Sequence, residues 1–315
     1  MAKFIIKSAD INSISEIRKL LKKINPDILH LHSSKAGAIG RVASIGFTNV
    51  KVIFTAHGWS FTDGVSKKKA AIYVRIERVL SRFTDKIICV SKYDYKIAQN
   101  SKIFSKTDGI VIYNGVFSSE DYKLPSQYSN DYSKLKPNFI MIARFSEVQK
   151  RQDLLVEAAK VLVEEGEKNF QITFIGDGEK YEDTKKLVTK YNLTSHVIFL
   201  GFKNDPEKYF KKGSILTLIS DYEGLPISII EGMCAGCPIL ATDVGGVDEL
   251  VRDGLNGYLT SLNPVEIAKA MRTMISLSPS EYAMLASNSR YYYESDFTIK
   301  KFIDATLQCY QDCLN

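Results

Sequence analysis

The 315-residue sequence lacks most of the features that settle a protein's class at once. No apolar run approaches the roughly 18 residues that a bilayer-spanning helix needs. The opening MAKFIIKSAD has neither the apolar core nor the small-residue cleavage site of a signal peptide, so the sequence reads as a cytoplasmic protein. Cysteine is scarce, with five residues at Cys89, Cys234, Cys237, Cys309 and Cys313. An odd, scattered count excludes a disulfide framework. Cys234 and Cys237 form a C-x-x-C, but it falls at the end of an expected helix. A redox pair wants a helix start, where the dipole favours thiolate, so packing is the expected role. There is no zinc spacing, no Ser-His-Asp constellation, no internal repeat and no low-complexity segment. What remains is 45% hydrophobic and 25% charged, near the globular average, and long enough for two domains.

Acidic residues are in short supply in the first part of the chain. Residues 1–117 carry 20 Lys and Arg against 8 Asp and Glu, a net of +12, whereas residues 118–315 carry 22 against 28, a net of −6. A domain this basic implies an anionic partner. It has no recognition-helix pattern, zinc finger or aromatic–basic RNA motif, which argues against nucleic acid and leaves an anionic membrane surface. The cations cluster: Arg18, Lys19, Lys22 and Lys23 near one helix face, and Lys67, Lys68 and Lys69 at the start of another helix.

Short apolar runs alternate with longer amphipathic ones. Strands are expected at 28–31, 50–54 and 87–90, with helices over 13–24, 35–45 and 67–83. The alternation resumes with strands at 139–143, 171–175, 197–200, 215–219 and 239–241, and helices over 151–164, 179–191 and 226–235. Three helices close the chain at 264–276, 279–293 and 298–314. This is βα repetition, hence parallel sheets covered by helices on both faces. The polar, Ser- and Tyr-rich stretch at 118–136 reads as a linker. The expected domains are 1–117 and 137–297, followed by a terminal helix over 298–315.

The densest information lies in SDYEGLPISIIEGMCAGCPILATDVGG, residues 220–246. Glu223 and Glu231 stand either side of Pro226, a residue favoured at the first helical position. A strand, a Gly-containing loop and a helix N-terminus aim backbone N–H groups, here of Gly224 and Leu225, at an anion. Carboxylates beside an anion site imply hydroxyls, so the expected ligand is part phosphate and part sugar. Arg144 and Lys150 follow the strand at 139–143, at the strand end where open α/β sheets bind ligands. An Arg fork and a Lys point charge suit a diphosphate without a metal, so neither metal nor other cofactor is expected.

These residues resemble the retaining nucleotide-sugar glycosyltransferases of family 4, with the GT-B architecture. The resemblance rests on Glu223 and Glu231, on Gly236–Pro238, the Gly245-Gly246 pair, Glu249–Val251 and Asp253–Gly257. It continues in Arg144 with Lys150, Gly176-Asp177-Gly178, Asn114-Gly115-Val116, Val90-Ser91 and Thr55–Gly58, in the family's order along nearly the whole chain. It implies two Rossmann-like domains facing across a cleft, with the last helix crossing back to brace the first domain. It implies a donor site in which Arg144 and Lys150 clamp the diphosphate and Glu231 holds the ribose. Gly176 and Gly178 turn near the nucleotide, Phe202 lies near the nucleobase, and Glu223 lies near the transferred sugar. His57, at a strand end, would touch that sugar from the first domain. His30 and His32 share a strand face and are expected to be structural, with His32 close to the cleft.

Two departures stand out. Arg151 occupies a position where the family has Gly. The first domain opens at Phe4-Ile5-Ile6 and passes directly to a helix, so the family's opening strand and glycine loop are expected to be absent and the first domain shortened. The reading is transfer of a hexose or N-acetylhexosamine from a nucleotide sugar to a surface-glycan or lipid-linked acceptor, by a protein peripheral on the inner face of the plasma membrane. The alternatives are a sugar-nucleotide epimerase of the same fold and a shortened, catalytically impaired nucleotide-binding relative.

Overall fold

The computed structural model describes residues 8–62, 64–105, 107–118, 136–146, 149–211 and 213–315. They form two compact units, Met1–Asn114 with Lys300–Asn315, and Gly115–Ile299. Phe4–Ile6, where the expectation of a shortened first domain begins, and most of the expected linker lie outside the described residues.

The first unit is a parallel sheet with strand order β1-β2-β3-β4. Its elements are α1 (Ser8–Ile24), β1 (Ile28–His32), α2 (Ser34–Ser44), β2 (Lys51–Ala56), α3 (Lys67–Leu80), β3 (Lys86–Cys89), α4 (Lys92–Asn100) and β4 (Asp108–Val111). Strands buried on both faces read as continuous apolar runs, and β2 is the case in point. Phe54 and Ala56 pack with Trp59, Phe61, Ile87 and Cys89 on one face. Ile53 packs with Ile88, Ile112 and Cys309 on the other. Cys309 belongs to α10 (Ile299–Leu314), which covers that second face. The short α4 and β4 are not predicted from sequence. The Ser91 hydroxyl caps α4 by accepting from Asp94 N–H.

One ion pair is buried inside this unit. Arg41 of α2 donates to Glu77 of α3 at 2.9 Å and to the Gly37 carbonyl at 3.0 Å. Its guanidinium lies 4.1 Å from the centre of the Phe54 ring. Both charges are almost wholly removed from water.

The second unit carries a six-stranded parallel sheet of order β10-β9-β8-β5-β6-β7. In chain order its elements are β5 (Asn138–Ile142), α5 (Gln152–Glu164), β6 (Gln171–Ile175), α6 (Tyr181–Lys190), β7 (Val197–Phe199), β8 (Ser214–Leu218), α7 (Ile227–Cys234), β9 (Ile239–Thr242), β10 (Gly257–Thr260), α8 (Pro264–Ile275) and α9 (Pro279–Asp296). Central β8 is buried at every position. Pro at the first turn and a capping residue set the starts of the last two helices: Asn263 accepts from Val265 N–H, and Ser278 with Glu281 forms a capping box.

The division falls at Asn114/Gly115, three residues before the expected boundary at 117. The cause is local pairing. Val116 N–H donates to Phe297 O, Ile299 N–H donates to Val116 O, and the Tyr293 hydroxyl also donates to Val116 O at 3.0 Å. No described helix is long and apolar enough to cross a membrane.

Removing one partner of the Arg41–Glu77 pair leaves a buried charge uncompensated. Glu77→Ala should therefore cost about 3–5 kcal/mol of first-unit stability, while Arg41→Met with Glu77→Leu should cost far less. Urea unfolding followed by the fluorescence of Trp59, the single tryptophan and a core residue, measures both. Equal losses in the single and double variants would contradict this account.

Candidate active site

All strands of a parallel sheet end on the same side, so the loops after them gather at one edge. In the second unit the loop after β5 is anchored by Phe145. Its N–H donates to Asp177 O at 2.9 Å, and its carbonyl accepts from Lys180 N–H at 3.2 Å. Its ring is buried against Phe174 and Tyr181. Gly176 and Gly178 have φ of 137° and 143°. A Cβ at Gly176 would overlap the Ala143 carbonyl, and one at Gly178 the Phe145 carbonyl. Glycine is thus required at both positions by chain packing. Gly176 N–H also donates to Gly201 O at 2.9 Å, joining the loops after β6 and β7. Phe202, the next residue, is largely exposed.

Beyond the ends of β5 and β8 the chain makes one more antiparallel bridge, between Lys150 and Ser220. Arg151 N–H donates to Ile219 O and Asp221 N–H to Gln149 O, both at 2.9 Å. This register brings the Lys150 ammonium onto the buried Glu223 carboxylate. Gln149 donates its side-chain amide to Tyr222 O at 3.0 Å and to Glu223 Oε2 at 3.4 Å. Arg151 is held by Asp153 at 2.8 Å and Asp221 at 3.1 Å. The hydrogen bond to Asp153, with further support from Asp221, raises its pKa above the ordinary arginine value. Arg144 differs from Lys150: its side chain is 74% exposed, with Glu179 at 4.0 Å.

Pro226 is expected at the first helical position. In the structure its φ of −70° and ψ of 118° are extended, and it is the cap of α7 instead. Glu223, Gly224 and Leu225 lie in the loop before it, and no side chain caps the helix start. A helix start without a side-chain cap and the helix dipole together favour an anion there. Glu231 lies within α7 and is half-buried. Gly245, at φ 61°, passes so close that a Cβ would overlap the Glu223 carbonyl oxygen. The neighbouring Gly246 N–H donates to Gly224 O at 3.1 Å.

In the first unit three histidines meet at the ends of β1 and β2. His32 Nδ1 lies 3.1 Å from His57 Nε2, and their rings stack with centroids 5.3 Å apart. His30 and His32 ring centroids are 4.3 Å apart. His30 is fixed by Tyr310 Oη at 2.6 Å and Thr55 Oγ1 at 2.7 Å. Burial, with repulsion from His32 and His57, lowers the His30 pKa to about 4. Burial lowers His32, and burial with repulsion from His32 lowers His57. All three are therefore neutral at neutral pH, and only one proton fits between His32 Nδ1 and His57 Nε2. The expectation for His32, a structural role close to the cleft, does not name this contact with His57.

The structure thus joins Lys150 to Glu223, sets Gly224 beside Gly246, and groups His57 with His32. Sequence reasoning missed Gln149, which has no pattern of its own, and the role of Arg151. Cys234 and Cys237 are buried at the end of α7, and burial pushes the Cys237 thiol well above its ordinary range. Among the described residues no His, Cys, Asp or Glu cluster has the arrangement of a metal site.

Comparison with known proteins gives two family matches. Residues 129–291 match "Glycosyl transferases group 1" and residues 6–119 match "Glycosyltransferase Family 4". The chain is similar to the UDP-Gal:alpha-D-GlcNAc-diphosphoundecaprenol alpha-1,3-galactosyltransferase of Escherichia coli. The two are 29% identical over 313 residues, covering 96% of this chain and 80% of that protein. Among solved structures, a glycosyltransferase from Rickettsia africae matches with a TM-score of 0.79 at 21% identity, covering all of this chain and 84% of its own. Anabaena Alr3699/HepE, solved in complex with UDP and glucose, matches with a TM-score of 0.74 at 23% identity, covering 93% and 80%. The structural likenesses establish the fold, two Rossmann-like units of GT-B type.

A neutral His30 has a consequence for stability. Between its folded pKa of about 4 and the ordinary 6.5, the unfolded chain binds more protons than the folded one, so stability rises with pH. The His30 contribution is complete above pH 6.5 and is lost as pH falls toward 4. Chemical unfolding of the native protein and of His30→Gln at a series of pH values should show a shallower acid slope for the variant. Parallel slopes would place the source elsewhere.

Proposed function

This chain belongs to the glycosyl transferases group 1 family and is a glycosyltransferase, and we propose that it draws its sugar from a nucleoside diphosphate, with UDP as the carrier. The observation that carries this reading is the Lys150–Glu223 pair beside the uncapped start of α7. A lysine has three N–H donors. One meets Glu223, and two remain for a diphosphate. Glu223 keeps acceptor capacity for a sugar hydroxyl, and its charge next to the phosphates is balanced by Lys150. Glu231 accepts from the ribose hydroxyls, and the exposed Arg144 closes onto the diphosphate. Gly224 and Leu225 N–H groups meet phosphate or sugar oxygens, Gly176 and Gly178 admit the nucleotide close to the backbone, and Phe202 offers its ring to the base. These fixed cations supply the charge neutralisation, so the donor site needs no metal. The UDP and glucose bound to Alr3699/HepE and the UDP-Gal in the name of the E. coli relative agree with this choice of donor.

The transferred unit is a hexose or N-acetylhexosamine, and the acceptor is a surface glycan or a lipid-linked diphosphate sugar at an anionic membrane face. In the reaction the bond from the anomeric carbon to the diphosphate oxygen breaks and a bond to the acceptor oxygen forms. The acceptor's proton passes to the departing diphosphate on the same face, which retains the anomeric configuration. The protein's part is to gather and hold charge where the leaving group develops it. The family resemblance assigns His57, whose lowered pKa leaves it neutral, a role in transfer.

Loss of one charged hydrogen-bond partner costs about 1.5–3 kcal/mol, tenfold or more in affinity. Lys150→Ala and Glu231→Ala should each weaken UDP binding by about that factor, and His57→Ala should leave UDP binding unchanged while lowering transfer. Titration calorimetry with UDP and GDP, and transfer assays over common UDP-sugars, separate these effects. Unchanged UDP affinity in both donor-site variants would remove the assignment.

A further inference from the structure

The outer face of α3 combines exposed cations with exposed aliphatic side chains. Lys68, Ile72, Arg75 and Val79 follow one another at steps of four, three and four, and Arg82 of the following 3-10 turn continues the row. That spacing places them on one stripe. All five are exposed, Ile72 by 52% and Val79 by 53%. The opposite side is committed to the core, where Ala70, Tyr73 and Val74 pack against the cluster that includes Phe54. The one carboxylate in Lys67–Leu80 is Glu77, and it is turned inward onto Arg41. Solvated helices ordinarily interleave acids with bases, as Lys160–Glu164 on α5 and Lys185–Glu182 on α6 do. The outer side of α3 carries cations and aliphatic residues and no acid. Val79 leads to Phe83, a wall of an open hollow of about 720 Å³ shared with Ile45 and Phe47.

We infer that this face of α3 is the surface by which the protein docks on an anionic lipid bilayer. Ile72 and Val79 sit in the headgroup–acyl boundary, while Lys68, Arg75 and Arg82 engage lipid phosphates. An interfacial helix needs both components, buried apolar area and electrostatic attraction. Long basic side chains flanking an apolar residue reach out to the phosphates while their stems cover hydrocarbon. A nucleic acid would use the cations and leave the aliphatic residues without a role. The inference rests on the membrane-face part of the proposed function and is independent of the donor site, which lies in the other unit.

The test is flotation of the full chain with vesicles of phosphatidylethanolamine and phosphatidylglycerol, against vesicles of phosphatidylcholine alone. The unaltered protein should float with the anionic vesicles, not with the neutral ones, and release in high salt. Each cation removed, as in Lys68→Ser or Arg75→Ser, should weaken binding by about fivefold. Ile72→Glu with Val79→Glu should abolish it, and Lys186→Ser on α6 should not change it. The urea midpoint read by Trp59 fluorescence, measured on every variant, reports that the first unit is folded in each. A fluorophore on Ile72→Cys should shift to the blue on anionic vesicles. Full binding by Ile72→Glu/Val79→Glu, equal binding to neutral vesicles, or no binding by the unaltered protein would each overturn the inference. Failure of UDP binding in the unaltered protein would instead overturn the donor reading alone.

Discussion

The contact between Lys150 and Glu223 is the constraint on which the arrangement of the second unit's loops depends. A carboxylate as buried as Glu223 is tolerated only with a partner, and the partner comes from the loop after a different strand. The antiparallel bridge between Lys150 and Ser220 supplies the register, and Gln149 fixes the backbone at Tyr222. Arg151 adds a second tie across the same bridge through Asp221. The Lys150 charge is thus fixed in place by the fold itself. Preorganised charge of this kind costs no reorganisation at the moment of reaction.

The glycines of this region show how packing and binding share a residue. Gly176, Gly178 and Gly245 each lie against a carbonyl oxygen that a Cβ would strike. Gly176 and Gly178 knit the loops after β5, β6 and β7 together, and Gly245 fits the β9 loop against Glu223. A side chain at any of them would displace the neighbouring loop whether or not nucleotide is present. The glycine pattern in the sequence is therefore a requirement for building the loop edge.

Strands such as β6 and β8 were legible because they are continuous apolar runs flanked by turn residues. The helix after β8 was legible from its loop, with Pro226 misplaced by one position because the proline serves as the cap. In contrast β4 and β10 are four residues each, and both begin at or contain a glycine whose need is tertiary. Gly109 makes room for the Phe104 ring, and Gly257 for the Ile239 carbonyl. No local pattern carries that information. Among site residues, Lys150 and Glu223 were visible as types in a pattern, but their pairing depends on a register written nowhere locally. The same holds for His32 and His57. Alternation along β1 puts His30 and His32 on one face, but the meeting with His57 follows from the parallel pairing of His32 with Thr55.

The first unit separates its charge by location, and the separation follows from desolvation. At the ends of β1 and β2, burial lowers the pKa of three clustered histidines and keeps them uncharged. On α3 the acid is withdrawn to neutralise a buried arginine, which leaves the outer face with cations alone. Had Glu77 pointed outward, Arg41 would be a bare buried charge and the α3 surface would carry an internal ion pair. The core ion pair and the cationic face are therefore one feature. The buried carboxylate is held in place by its contribution to the fold, and the uncompensated surface charge is its consequence.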